Sequence, residues 1–126
     1  MAVKEKVIEN EIMNFLRANG IFCWKNDSVG IFDPVKKVYR SNQNQNRIKG
    51  VSDILGIIDG KFVAIEVKSE TGKLRPEQKV FIQEIVSNGG VAFVARSLKE
   101  AAQTLALHFP DHARLKHMVR NYFPRD

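Results

Sequence analysis

Asp53-Ile54-Leu55-Gly56-Ile57-Ile58-Asp59-Gly60-Lys61-Phe62-Val63-Ala64-Ile65-Glu66-Val67-Lys68 is two apolar runs joined by Asp-Gly. That dipeptide favours a two-residue type I′ hairpin, because both central positions need φ > 0. Pairing back from the turn without a bulge sets Ile58 opposite Lys61, Gly56 opposite Val63 and Asp53 opposite Glu66. Side chains alternate with period two, so Lys68 shares a face with Glu66. Two carboxylates directly opposed on a sheet repel each other. These charges also interrupt an apolar strand, where a charge needs a partner or a metal. A divalent cation with a lysine satisfies both demands. The plainer alternative is that Asp53 ends a strand in solvent and Glu66 to Lys68 form a surface stripe.

With 126 residues, 44% of them hydrophobic and 27% charged, the chain reads as one globular domain over 1–126. No apolar run reaches the length of a membrane span, and the stretch from Met1 to Lys6 lacks a signal-like apolar segment. The single cysteine, Cys23, cannot form an internal disulfide, and a cytoplasmic location is the expectation. In the run Ile21-Phe22-Cys23-Trp24 it reads as a buried, inert thiol. The net charge of +6 favours a polyanionic partner. Its distribution is uneven. Lys36, Lys37, Arg40, Arg47 and Lys49 lie between Asp33 and Asp53 with no acid among them. Arg114, Lys116, Arg120 and Arg125 lie likewise between Asp111 and Asp126. Clustered charge of this kind suits a phosphate backbone, the alternative being a solvated basic face.

From Lys4 to Asn19, apolar residues at Val7, Ile8, Ile12, Phe15 and Leu16 keep helical spacing, and Gly20 stops the helix. Ile21 to Lys25 reads as a short strand. The polar and basic region 26–49 holds a strand or hairpin around Val29 to Tyr39, followed by an amide-rich loop. Pro76 opens a second helix at its favoured first position, expected to bury Val80, Phe81, Ile85 and Val86, and Asn88-Gly89-Gly90 ends it. Val91 to Ala95 is a continuous apolar strand, expected to be buried on both faces. Ser97-Leu98-Lys99-Glu100 is a capping box for a third helix to about Leu107. A basic segment, 111–126, carries a last helix from His112 to Tyr122. The crossover from the Phe62 strand to the Val91 strand implies parallel pairing, hence a mixed α/β sheet flanked by helices.

Asp53, Glu66 and Lys68 form the pattern D-x12-E-x-K. Around it stand Lys49-Gly50-Val51-Ser52, the G-x-L-x-P-x-Q loop Gly72-Lys73-Leu74-Arg75-Pro76-Glu77-Gln78, and the strand entry Gly89-Gly90. Together these resemble the PD-(D/E)xK nuclease superfamily, and within it the virus-type replication-repair nuclease (VRR-NUC) branch, from Glu5 to about Ala101. Where that family usually has proline before the aspartate, this chain has Ser52. The resemblance implies a restriction-endonuclease-like fold. It implies Asp53, Glu66 and the Val67 carbonyl as ligands of Mg²⁺ or Mn²⁺, and Lys68 as the group that orients or deprotonates the attacking water. Glu5, with Glu9 as its rival, and Gln78 match the family's first-helix glutamate and second-helix glutamine. Lys73 and Arg75 join Lys36, Lys37, Arg40, Arg47 and Lys49 as expected nucleic-acid contacts. The activity implied is metal-dependent cleavage of DNA, branched or Holliday-junction DNA in particular, by a homodimer. The alternative is a non-catalytic DNA-binding module or nuclease accessory subunit of the same fold.

His108 and His112 have the spacing of helical metal ligands, but Pro110 between them breaks the helix that would align them, and His117 lies further round. No glycine-rich phosphate loop, Ser-His-Asp set or CxxC pair is present, so no nucleotide cofactor is expected.

Overall fold

Asp59 and Gly60 adopt φ of 50° and 79°, the paired positive values of a type I′ turn. The hairpin they close pairs β4 (Ile54–Ile58) with β5 (Lys61–Val67), with Ile58 opposite Lys61 and Ile54 opposite Ile65. This is the bulge-free register expected from the sequence. The computed structural model describes residues 3–27, 31–40 and 46–124, the side chains of 3, 31–33 and 38–40 excepted. The expected contact residue Arg40 and residues 41–45 of the amide-rich tract therefore fall outside the described side chains, as does Arg125.

Helix α1 (Val3–Ala18) precedes β1 (Phe22–Lys25), which pairs antiparallel with β4. After β5 come α2 (Pro76–Ser87), β6 (Val91–Ala95), α3 (Leu98–His108) and α4 (Ala113–Tyr122). β6 pairs parallel with β5, Val67 opposite Ala95, as the crossover requires. The sheet order is β1-β4-β5-β6, and β2 (Ile31–Asp33) and β3 (Val38–Arg40) form a separate antiparallel hairpin. The expected architecture, a mixed sheet flanked by helices, is the one observed.

Residue parity divides the core. On one face, Ile54, Val63, Ile65 and Val67 pack with Ile12 and Leu16 of α1 and Ala102 and Leu105 of α3, and Leu115 of α4 closes this layer. On the other, Leu55 and Ala64 meet Phe81 of α2, with Phe62, Ile85 and Ala92 at the margin. Two expectations are corrected. Val80 and Val86 are 56% and 54% exposed. The inward stripe of α2 is buried Gln78 and Phe81 with half-buried Ile85, at i, i+3 and i+7, and both valines fall off it. β6 is a terminal strand, so Ala92, Phe93 and Val94 are only half-buried, while Val91 and Ala95 are buried.

Candidate active site

The opposed carboxylates sit where β4 gives out. Asn26 N–H donates to the Asp53 carbonyl at 2.8 Å, which extends the β1–β4 ladder by one pair. Val67 N–H finds the Asp53 carboxylate instead of a strand carbonyl, Oδ2 accepting at 2.7 Å. A strand residue's N–H and C=O point to the same side. The Val67 carbonyl is therefore aimed along this same edge, beside Asp53.

Glu66 is 2% exposed and Lys68 8%. These are not the charges of a solvent stripe. Gln78 Nε2 donates to Glu66 Oε1 at 2.9 Å, and Lys68 Nζ stands 3.6 Å from the same oxygen. Glu66 Oε2 is buried and has no hydrogen-bond partner among the described residues. Burial, and then the nearness of the Asp53 carboxylate, push the Glu66 carboxyl up to about 8, against the pull of Lys68.

Several residues hold this pair in place. Gln78 Oε1 accepts from Arg75 N–H at 2.9 Å, locking the glutamine in the first turn of α2 while its amide grips Glu66. Gly50, with φ 75°, runs against that turn; a Cβ there would lie 2.3 Å from the Glu77 carbonyl oxygen. Only glycine permits this approach. Lys68 N–H donates to the Ala95 carbonyl at 3.1 Å. Glu5 is half-buried, and its Oε1 accepts from Ser69 N–H at 3.3 Å. A Cβ on Gly72 would stand 3.1 Å from that oxygen and 3.4 Å from Lys68 Cδ, so glycine at 72 leaves the room that both side chains need. Glu9 is wholly buried but turns to Lys25, whose Nζ is 3.1 Å from Oε1. That contact, and then the charges of Asp27 and Asp53, raise the Lys25 pKa.

Arg96 carries no motif that marks it in the sequence. Its Nη1 donates to the carbonyls of Ser69 at 2.6 Å and Gly72 at 2.7 Å, clasping the loop that follows Lys68. The available signal was positional, since parallel pairing of Val67 with Ala95 sets residue 96 beside residue 68. Among the expected contact residues, Lys36, Lys37, Arg47, Lys49, Lys73 and Arg75 are all exposed. Arg75 caps the first turn of α2, whose Gln78 holds Glu66, and Lys49 lies further along the same helix, with Val80 and Glu84. α4 stands in the opposite layer, with Arg114 against Gly20 at the end of α1. His112 Nδ1 accepts from Leu115 N–H and caps α4, while His108 stacks on Phe93. Buried Cys23 has its thiol pKa raised, chiefly by burial.

The donor set fits a hard, hydrated cation: two carboxylates, one with a buried orphan oxygen, and a backbone carbonyl on the same edge. No group of three or more His, Cys, Asp or Glu converges among the described residues. A magnesium ion held through one or two carboxylates, with water and phosphate completing its shell, does not need one.

A mixed sheet with helices on both faces, and an Asp, a Glu and a Lys gathered where its central hairpin opens, defines a restriction-endonuclease-like chain. The VRR-NUC domain model matches residues 8–99, most of the chain. The protein belongs to the VRR-NUC domain family, a nuclease family. Glu9 lies inside the matched segment and Glu5 just before it. A solved structure described as a VRR_NUC domain protein superposes with a TM-score of 0.58 at 16% identity, covering 87% of this chain and 91% of that one. At that identity the likeness speaks for the fold. No curated protein sequence matches significantly. No helix among the described residues is long and apolar enough to cross a membrane.

Proposed function

We propose that the protein is a divalent-metal-dependent DNA endonuclease that hydrolyses phosphodiester bonds in branched DNA. The observation that carries this reading is Glu66, buried opposite Asp53 with one oxygen unpartnered and Lys68 beside the other. A structure gains nothing from this repulsion unless something positive enters it. Asp53, Glu66 and the Val67 carbonyl would hold Mg²⁺ or Mn²⁺, which supplies charge neutralisation for phosphate oxygens and a more acidic bound water.

This chain's own residues do the rest. Gln78 fixes the Glu66 rotamer, and Val67 N–H fixes the Asp53 carboxylate. Lys68 orients the attacking water or takes its proton and offsets charge building on the phosphorane, and the leaving 3′ or 5′ oxygen departs in line. Glu5 braces the loop after Lys68 and serves as the first-helix member of the site. Cutting a four-way junction at two symmetric positions needs two sites, which a two-fold dimer of this chain supplies.

The test is cleavage of linear, flapped and four-way DNA with Mg²⁺ or Mn²⁺. Asp53→Asn should abolish cutting. Lys68→Ala should lower the single-turnover rate by a factor on the order of 10², with little change in binding measured in Ca²⁺. Wild-type cleavage by Asp53→Asn would overturn the assignment. Tight DNA binding with no cutting in either metal would make the protein a non-catalytic binding module.

A further inference from the structure

The face that bears the site is only half covered. Cross-strand register places Trp24, Leu55 and Ala64 in one row of that face, and Phe22, Ile57 and Phe62 in the next. The row before them holds Asp53 and Glu66, since Asn26 pairs with Asp53. Helix α2 covers the β5 and β6 side through Phe81 and Ile85. Towards β1 the cover thins: Leu55 is still buried, packed with Phe81 and Val51, while Ile57 and the side chains of β1 on this face are exposed. Phe22 is 69% exposed, Ile57 45% and Trp24 37%, and the Phe22 and Trp24 rings lie 5.4 Å apart at an interplanar angle of 48°.

We infer that Phe22 and Trp24 form a stacking platform for unpaired nucleobases beside the scissile phosphate. The inference rests on the nuclease reading above and names the feature of the DNA that its site selects. Exposed apolar patches mark interaction sites, and geometry chooses the occupant here. A strand whose phosphate reaches Asp53 and Glu66 has room to continue over the β1 side of the same face, where Trp24 stands one row away, since α2 covers the β5 and β6 side. A second copy of the chain seated on Phe22 and Trp24 would obstruct that approach. The platform has no charge for a phosphate, and a continuous duplex presents its sugar–phosphate edge rather than its base faces. Flat rings do hold unstacked bases, irrespective of sequence. The platform therefore selects DNA with unpaired nucleotides next to the cut: a fork, a flap or a junction opened at its centre.

Trp24 is the only tryptophan, so its fluorescence reports directly on the proposed contact. Titration in Ca²⁺ with an oligothymidine, a forked duplex and a blunt duplex should give quenching with the first two. Little quenching is expected with the blunt duplex. Phe22→Ala and Trp24→Leu, both at exposed positions, should each reduce the affinity ratio of forked over blunt DNA by about tenfold, the scale of one lost base stack. Circular dichroism checks that each variant folds. Equal quenching by blunt and forked DNA, or variants with an unchanged ratio, overturns the platform. So does a wild-type dimer, measured by light scattering without DNA, that Phe22→Ala converts to monomer, because the face then belongs to a second copy. Cleavage activity is scored separately. Active enzyme without Trp24 quenching sinks this inference alone, whereas quenching in a protein that cuts nothing sinks the nuclease reading and leaves the platform.

Discussion

Glu66 is the residue on which the site turns, and its cost is visible in its titration. Its carboxyl is raised to about 8 by burial and by Asp53, from an ordinary 4.5. Between those values the metal-free folded state keeps a proton that the unfolded chain has released. By linkage, the stability contributed by this group is fully present below about pH 4.5 and is lost as pH rises through about 8. Each tenfold change in proton affinity is worth about 1.4 kcal/mol, so the full effect is on the order of a few kcal/mol. Glu66→Gln keeps the shape and the acceptor for Gln78 but has nothing to ionise. Denaturation in EDTA should find this variant more stable than wild type at pH 8 and close to it at pH 4.5. An unchanged pH slope in the variant would place the titrating group elsewhere. In the wild type, Mg²⁺ or Mn²⁺ should raise the melting temperature more at pH 8 than at pH 6, because the cation displaces the proton.

At the scale of elements, the site is held by the meeting of three pieces: the frayed end of β4, the last residues of β5 and the first turn of α2. Gly50 makes that meeting possible. Gly50→Ala adds left-handed strain of about 1–2 kcal/mol and drives a methyl group into the Glu77 carbonyl, 2.3 Å from the new Cβ. Gly60→Ala is the natural control, because its φ is also positive while nothing lies within 4 Å of a Cβ. Urea unfolding should show Gly60→Ala losing only the backbone strain and Gly50→Ala losing clearly more. Cleavage should fail in Gly50→Ala alone, since shifting this turn moves Gln78 off Glu66. Equal losses in the two variants would mean that α2 simply yields. Arg96 acts in the same way on the other side, tying the loop after Lys68 to the end of β6.

Across the whole molecule, the two faces of the sheet divide the work. α1, α3 and α4 build the larger core against one face, while the other carries the carboxylates and is left exposed along β1. The basic residues fall on both sides of this division. Lys49 and Arg75 lie beside α2 on the face that bears the site, and Lys116 and Arg120 are carried by α4 in the opposite layer. Duplex binding should weaken with salt, with a log–log slope of roughly 0.9 per phosphate neutralised. Replacing Lys49 and Arg75 by alanine should make that slope shallower by up to about 2. Replacing Lys116 and Arg120 should leave it close to wild type. The reverse pattern would place the DNA track along α4.

Local rules were enough for the hairpin. Asp59-Gly60 dictates its turn, the turn dictates the register, and the register opposes Asp53 and Glu66 before any tertiary contact forms. Capping by Ser97 and the Pro76 start were legible for the same reason, each depending on neighbours in sequence, and the parallel crossover was legible from the strand–helix–strand order. What depends on how elements lean together was not. Helical spacing alone does not say which stripe of α2 faces the sheet, so Val80 and Val86 look buried until Gln78 and Phe81 take that place. Apolar composition does not say that β6 ends the sheet. Nor does spacing separate Glu5 from Glu9, one turn apart on α1; packing alone sends Glu5 to the loop after Lys68 and Glu9 to Lys25. The clasp of Arg96 on that loop and the open row of Phe22 and Trp24 likewise exist only in three dimensions. They arise from contacts between segments far apart in the chain, whose relative placement is decided by burial against a shared sheet.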